Sequence, residues 1–206
     1  MAILNIPRLP SPYLTCDEFL ALAEIKPYLE YDNGVVSQKC AADLNHSALQ
    51  GEISSRLNRI GRDRRLGIAF IEVRFVTPTW VPTLDASYYS KERIRPVLRV
   101  KNGELYVPPD VAVEIASPGE SREHLIQKCV RYVALGTSVG LVVDPDDETV
   151  YDVRPGEPQR VLRGDDQIDL EPVLPGFDLT AQALFDSIVN SWLVEEAPDE
   201  QQPAAE

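Results

Sequence analysis

Apolar and polar positions alternate most regularly between Pro108 and Pro118, in the sequence PPDVAVEIASP. One face of this segment carries three β-branched residues at a period of two: Val111, Val113 and Ile115. The other face carries two carboxylates separated by alanine: Asp110, Ala112, Glu114 and Ala116. The pattern predicts a β-strand in the middle of a sheet that is covered on both sides. Glu114 would then be a carboxylate inside the core, which is costly unless another group pairs with it.

Two local signals predict the elements at the start of the chain. The capping-box spacing of Thr15 and Glu18 predicts a short helix that reaches Ile25. The Asn33-Gly34 pair predicts a tight hairpin, because these residues readily adopt the positive φ values that such a turn requires. The first forty residues therefore contain a helix followed by two short strands.

A long amphipathic helix is predicted from Asp43 to Arg65. Its apolar residues recur at helical spacing: Leu49, Ile53, Leu57 and Ile60. Gly67 is expected to end this helix, since glycine is favoured just past a helix C-terminus. The polar side of the helix carries a run of arginines.

The remaining elements alternate between strands and helices. Further strands are predicted at 68–76, 84–89, 139–143, 149–153, 160–162 and 167–170, with a second hairpin turning at 101–104. Further helices are predicted at 121–135 and 180–188. A central mixed β-sheet with helices on both faces accounts for this order, which places the chain in the α/β or α+β class. We expect one domain over residues 1–193 and a disordered acidic tail over 194–206.

Composition excludes several classes of protein. The 206 residues are 44% hydrophobic and 26% charged, and no run approaches the eighteen or so apolar residues of a membrane span. The N-terminus has no basic region followed by an apolar stretch, so no signal peptide is predicted. The three cysteines are odd in number and far apart, which argues against a disulfide framework and a zinc site. We expect a cytoplasmic protein.

The net charge of −13 argues against binding to nucleic acid, which needs positive charge at the contact face. The distribution of charge weakens that argument, because residues 56–65 and 91–101 each contain five bases and one acid. Arg56, Arg59 and Arg62 are candidate contacts to a nucleic-acid backbone. The alternative is that both basic stretches are ordinary solvated surfaces.

Three residues could form a chemical site. Asp85 lies on the predicted strand before that of Glu114, and Lys128 lies in the helix that follows. Two carboxylates from neighbouring strands suit a hard divalent cation such as Mg²⁺ or Mn²⁺, and an ammonium group could orient water or stabilise charge on a phosphate oxygen. Because Asp, Glu and Lys are common, their spacing alone is weak evidence. Glu114 could instead pair with an arginine, Asp85 could accept backbone amides, and Lys128 could face solvent.

Several segments occur in a characteristic order: YLEYDNGVV, Asn45-His46, TLDASYY and PPDVAVEIASP, followed by Lys128, Tyr132 and Gly136 in one helix and then LVVDP. Their order and spacing resemble the PD-(D/E)XK nuclease superfamily, and within it the Uma-type restriction endonucleases. The resemblance covers roughly residues 15–188. The phosphate-loop motif GxxxxGK[ST] is absent from the sequence.

This resemblance implies a restriction-endonuclease-like core and metal-dependent hydrolysis of DNA. Asp85 and Glu114 would be the metal-binding acids, and Lys128 would replace the lysine that the superfamily usually places two residues after the glutamate, where this chain has Ala116. The sequence also departs from the family at Leu84, where proline is favoured before the aspartate. Many nucleases of this type act as homodimers. The resemblance therefore leads us to expect a homodimer here.

Four further residues are weaker candidates for supporting the site. Asp110 shares the strand face of Glu114, but an extended strand places it about 13 Å away. Glu72 could add an outer carboxylate, and Glu30 and His46 match positions in the family. The competing functional hypothesis is a binding or accessory module that keeps the nuclease fold without turnover, which the net charge favours.

Overall fold

A six-stranded mixed sheet forms the centre of the molecule, in a computed structural model that describes residues 13–97 and 104–188. The helices are α1 Cys16–Leu20, α2 Leu44–Asp63, α3 Lys91–Ile94, α4 Arg122–Ala134 and α5 Ala181–Asp186. The strands are β1 Leu29–Asp32, β2 Val35–Gln38, β3 Gly67–Arg74, β4 Trp80–Val81, β5 Thr83–Ser90, β6 Val111–Ile115, β7 Val139–Asp144, β8 Thr149–Val153 and β9 Arg160–Leu162. The predicted hairpin turn at 101–104 and the predicted tail at 194–206 fall mainly or wholly outside the described residues.

The central sheet has the strand order β3-β5-β6-β7-β8-β9. Strands β6 and β7 pair in parallel, and the other neighbours pair antiparallel. A parallel pair needs a crossover connection, which helix α4 provides. The predicted mixed sheet is therefore confirmed, with the strand of Glu114 near its middle.

Helices cover both faces of this sheet. Helices α2 and α5 pack on the face of β6 that carries Val111, Val113 and Ile115. Helix α4 packs on the opposite face, over Ala112 and Val142. It approaches closely at Gly140, where an added Cβ atom would lie 2.9 Å from Cβ of Cys129. The face of Glu114 is thus the face beneath α4.

A second sheet has three strands in the order β2-β1-β4. It is a separate hydrogen-bonded sheet from the central one. The predicted hairpin at Asn33-Gly34 joins β1 and β2, and both turn residues have positive φ. The capping box of Thr15 and Glu18 is also present, although α1 ends at Leu20 instead of reaching Ile25. This small sheet brings the N-terminal part of the chain to the site.

Two predictions about the chain's path are wrong. Gly67 does not end α2, because the helix stops at Asp63 and Arg65 takes the left-handed conformation with φ 57°. Gly67 instead begins β3, where an added Cβ atom would lie 2.2 Å from the carbonyl oxygen of Tyr89. The segment 167–170 is not a strand either, since it makes a single bridge between Gln167 and Thr180. Among the described helices, none is long and apolar enough to span a membrane.

Candidate active site

Asp85 lies where strands β5 and β6 separate. The last paired residues of these strands are Ala86 and Val113. Beyond them, Oδ2 of Asp85 accepts a hydrogen bond from the backbone amide of Ile115 at 2.8 Å. The side chain thus takes the place of a backbone acceptor for β6. It contacts the peptide group that joins Glu114 to Ile115.

Three other side chains hold Asp85 in place. Nζ of Lys39 donates to Oδ1 at 2.6 Å, and Nε2 of His46 lies 3.3 Å from Oδ2. Gln50, one helical turn beyond His46, donates to the backbone carbonyl of Asp85 at 2.9 Å. His46 and Gln50 share one side of the first turns of α2, which therefore fixes this end of β5.

Glu114 is completely buried on β6. Its Oε1 atom accepts a hydrogen bond from the Tyr132 hydroxyl at 2.6 Å and lies 3.2 Å from Nζ of Lys128. Both partners come from α4, one turn apart on the side that faces the sheet. Its Oε2 atom is buried and has no hydrogen-bond partner among the described residues. An unpartnered buried carboxylate oxygen is unusual, and it marks a place where a ligand could bind.

Glu30 joins the small sheet to the site. Nζ of Lys128 lies 3.0 Å from its Oε1 and 3.3 Å from its Oε2. Its Oε1 atom also accepts a hydrogen bond from the backbone amide of Thr83 at 2.8 Å. Lys128 therefore lies between two carboxylates, Glu30 and Glu114, and the small sheet is fastened to β5 near Asp85.

The site combines three carboxylates with two ammonium groups, and these charges shift one another's pKa values. Burial raises the pKa of Glu114 to about 7, and the ammonium groups of Lys128 and Lys39 offset only part of that effect. Burial also acts to raise the pKa of Asp85, but the hydrogen bond from His46 and the charge of Lys39 outweigh it and hold that pKa well below its usual range. Burial acts to lower the pKa of Lys128, but Glu114 and Glu30 hold it above its usual value.

Two pockets flank these residues. The Asp85 pocket has a volume of about 280 Å³ and is lined in part by Lys39, His46 and Asp85. The Trp80 pocket has a volume of about 430 Å³, and Glu30, Lys128 and Trp80 are among its lining residues. The buried network thus opens to the surface on two sides, through Lys39 and Asp85 on one and through Glu30 and Lys128 on the other.

Comparison with known proteins shows where this arrangement belongs. The family model Uma2, described as "Putative restriction endonuclease", matches residues 16–182. The chain belongs to the Uma2 family. A crystal structure from Anabaena variabilis ATCC 29413, described as a putative nuclease belonging to DUF820, is 30% identical to this chain and superimposes with a TM-score of 0.78. The match covers 85% of this chain and 99% of that one, whereas no curated protein matches.

In this Uma2 chain, the fold brings together five of the residues expected from the sequence. They are Glu30, His46, Asp85, Glu114 and Lys128. The sequence also pointed to Tyr132 as part of the resemblance, without assigning it a role. Lys39 was not predicted at all. It follows the last residue of β2, in a stretch without a motif, and only the docking of the small sheet brings it to Asp85.

The other candidates lie elsewhere. Asp110 lies just before the strand of Glu114, where it accepts a hydrogen bond from the Ser90 amide and pairs with Arg93 at 3.2 Å. Glu72 lines the Asp85 pocket, but its carboxylate pairs with Lys26 at the exposed rim, 3.1 Å away. Neither residue contacts the carboxylate of Asp85 or Glu114.

The three candidate arginines of α2 lie away from Asp85 along the helix. Arg56 pairs with Glu52 at 2.5 Å, and Arg62 donates to Asn58, both within the helix. Arg56 lies ten residues from His46, which is about 15 Å along a helix axis. Any contact of these arginines with a nucleic acid would therefore be remote from Asp85.

The candidate site has carboxylate oxygens that could bind a divalent cation. In the described ranges, no three His, Cys, Asp or Glu side chains converge as metal ligands. Two carboxylates do have free capacity: Oε2 of Glu114 has no partner among the described residues, and Oδ1 of Asp85 meets only Lys39 there. Mg²⁺ commonly binds through one or two carboxylates while water and substrate phosphates complete its shell. The residues present therefore fit such an ion.

Proposed function

We propose that this protein is a metal-dependent endonuclease that hydrolyses phosphodiester bonds in DNA. The observation that carries the proposal is the position of Asp85 beside the strand that carries Glu114. The Ile115 amide holds Asp85 beside the strand of Glu114, and Glu114 keeps one buried oxygen without a described partner. Membership in the Uma2 family and the similarity to a protein described as a nuclease support this function.

In this proposal, Asp85 and Glu114 hold Mg²⁺ or Mn²⁺, which would lower the pKa of an attacking water and stabilise charge on the phosphate. The remaining residues position these two acids. Lys128 keeps Glu114 oriented and favours its charged form, because the ammonium lies 3.2 Å from Oε1. Tyr132 donates a hydrogen bond to the same oxygen from the side of α4, so both partners of Oε1 come from one helix.

Lys128 acts mainly through Glu114 in this arrangement. Its three N–H groups face Glu30 Oε1, Glu30 Oε2 and Glu114 Oε1 at 3.0, 3.3 and 3.2 Å. A lysine surrounded in this way stabilises the ionised carboxylate that a cation requires. Its role would then resemble that of groups around a metal site that raise affinity by orienting the ligands.

The second candidate function is a nucleic-acid-binding or accessory module without turnover. The net charge of −13 favours it, because an acidic surface weakens attraction to the phosphate backbone. A homodimer would be one way to complete a binding surface, and analytical ultracentrifugation of the full chain tests for it.

The experiment that tests the proposed function is nicking of supercoiled plasmid with Mg²⁺ or Mn²⁺. Wild type is expected to nick only when metal is present, and Glu114→Gln and Lys128→Met are each expected to lose nicking while retaining a native circular dichroism spectrum. Asp110→Asn is the matched control, because Asp110 lies immediately before the same strand and does not contact Glu114. Nicking that survives Glu114→Gln would contradict the assigned site. A wild-type protein that binds duplex DNA but never nicks it would favour the accessory module.

A further inference from the structure

Lys39 supplies an ammonium group that no motif in the sequence assigns to the site. Its Nζ atom donates to Oδ1 of Asp85 at 2.6 Å and to the backbone carbonyl of Thr83 at 2.8 Å. The side chain is 13% exposed and lines the Asp85 pocket. It therefore lies at the boundary between the buried network and the open side of the site.

An ammonium group carries three N–H donors, and Lys39 uses two of them on these oxygens. Within residues 13–97 and 104–188, no acceptor is within hydrogen-bond distance of the third. The side chain is held by Asp85 and Thr83, so the direction of the remaining donor is set in advance. A pre-oriented charged donor beside the reacting centre is well suited to an anionic oxygen.

Lys128 cannot serve the same purpose equally well. Its three N–H groups face oxygens of Glu30 and Glu114, and its side chain is 6% exposed. A phosphate oxygen that approached Lys128 would have to displace a buried carboxylate. An oxygen that approached Lys39 from the Asp85 pocket would displace nothing among the described residues.

We propose that Lys39 binds a non-bridging oxygen of the DNA phosphodiester next to Asp85 and so places that phosphate in the Asp85 pocket. This inference rests on the proposed function, because it takes a DNA phosphate as the ligand. The ammonium would then bridge an acid of the site and the substrate. The two lysines would then have different roles: Lys128 orients Glu114, and Lys39 contacts the substrate.

The first test measures binding of a fluorescent duplex of about 20 base pairs to the full chain in EDTA, over a range of salt concentrations. Each phosphate contact contributes about 0.9 to the slope of log K against log salt. Lys39→Gln keeps a hydrogen-bond donor but removes the charge, so its slope should be smaller than that of wild type by about 1. Lys39→Arg keeps the charge and should retain the wild-type slope.

Lys91→Gln is the matched control. Lys91 is exposed and begins α3, six residues beyond Asp85, which is about 20 Å along an extended strand. Its substitution should leave the slope and the nicking rate unchanged. An equal loss of slope in Lys91→Gln and Lys39→Gln would overturn the proposal, because the loss would then report general surface charge.

A second test needs no variant and so does not depend on folding of the Lys39 substitutions. Acetylation of lysines in the wild-type protein is followed by mass spectrometry with and without the duplex. The duplex should slow acetylation of Lys39 several-fold more than that of Lys91. Equal protection of the two lysines, or no protection of Lys39, would overturn the proposal.

The outcomes separate this proposal from the proposed function. If wild type nicks plasmid and Lys39→Gln binds and nicks with unchanged slope and KM, the endonuclease function stands and the role of Lys39 fails. If wild type never nicks but Lys39→Gln loses about 1 from the slope, Lys39 binds phosphate in a protein without turnover. Duplex binding too weak to detect in wild type would overturn the role of Lys39 directly.

Discussion

The backbone amide of Ile115 donates a hydrogen bond to Oδ2 of Asp85 at 2.8 Å, just beyond the last paired residues of β5 and β6. A side chain thus replaces a backbone acceptor where the two strands part. The arrangement places the carboxylate of one strand beside the glutamate of the next. It also makes the end of this strand pair depend on the Asp85 side chain, so a proposed metal ligand also supports the fold.

Replacing Asp85 with asparagine should reduce both metal-dependent nicking and stability. The substitution removes one of the two proposed metal ligands, so nicking should fall by at least about 100-fold. It also leaves the buried ammonium of Lys39 without its anion, which should lower the free energy of unfolding by about 3–5 kcal/mol. Urea denaturation checks the second effect. Asp32→Asn is the control, because the exposed Asp32–Arg131 pair should contribute at most about 1 kcal/mol.

Replacing Tyr132 with phenylalanine should shift the pH dependence of nicking toward higher pH. The change removes the 2.6 Å hydrogen bond to Oε1 of Glu114, which favours the charged carboxylate. Loss of the bond should also lower the free energy of unfolding by about 1–3 kcal/mol. Rates measured between pH 6 and 9 check the shift. A uniform loss of rate at every pH would instead indicate a packing defect around Trp80, whose ring centroid lies 4.8 Å from that of Tyr132.

The titration of Glu114 predicts opposite pH trends for stability and metal binding. Burial raises its pKa in the folded protein to about 7 from an ordinary value of 4.5, so the folded state holds the proton more tightly than the unfolded state does. The resulting stabilisation is fully present below pH 4.5 and disappears as the pH rises through 7. At 1.36 kcal/mol per pKa unit it amounts to about 3 kcal/mol.

Binding of Mn²⁺ should follow the reverse trend and strengthen between pH 6 and 8, because the cation needs the ionised carboxylate. Calorimetry at several pH values measures this affinity, and urea denaturation over the same range measures stability. Glu114→Gln has no proton to lose at this position and should weaken both trends. Identical pH profiles in wild type and Glu114→Gln would show that another group is responsible.

Substitutions at two glycines should have opposite effects on stability. Gly140→Ala would place a Cβ atom 2.9 Å from Cβ of Cys129 and push α4 away from β7, at a cost of about 1–3 kcal/mol. Gly51 lies in the exposed middle of α2, and a Cβ atom added there would meet nothing within 4 Å, so Gly51→Ala should stabilise by about 0.5–1 kcal/mol. Thermal unfolding of both variants tests the pair. Equal melting temperatures would contradict the packing argument for α4.

The sequence predicted those parts of the fold that depend on local patterns. The alternation around Glu114 predicted the central strand, and both faces of β6 are buried. The helix predicted at 121–135 is present as α4, and the Ser121 hydroxyl caps it by accepting a hydrogen bond from the His124 amide. The predicted end of α2 at Gly67 was wrong, because this glycine allows β3 to approach the Tyr89 carbonyl closely and does not form a turn. A close approach between distant strands leaves no periodic signal.

The candidate site was only partly predictable for the same reason. Glu114 was identified from its apolar surroundings, and Asp85 from its order in the chain and the family resemblance. Lys39 was missed because its contact with Asp85 spans 46 residues and arises from docking of the small sheet. The partner of Lys128 was equally hidden, since Glu30 lies 98 residues away. Ion pairs of this kind are set by tertiary structure alone.

The small β2-β1-β4 sheet has a consequence for how this protein acquires activity. It supplies Glu30 and Lys39, one of each charge, to a centre whose other members come from the central sheet and from α2 and α4. A chain in which the central sheet has formed but the N-terminal hairpin has not yet docked would lack both residues. The proposed activity would therefore require the N-terminal hairpin to be docked as well as the central sheet to be formed.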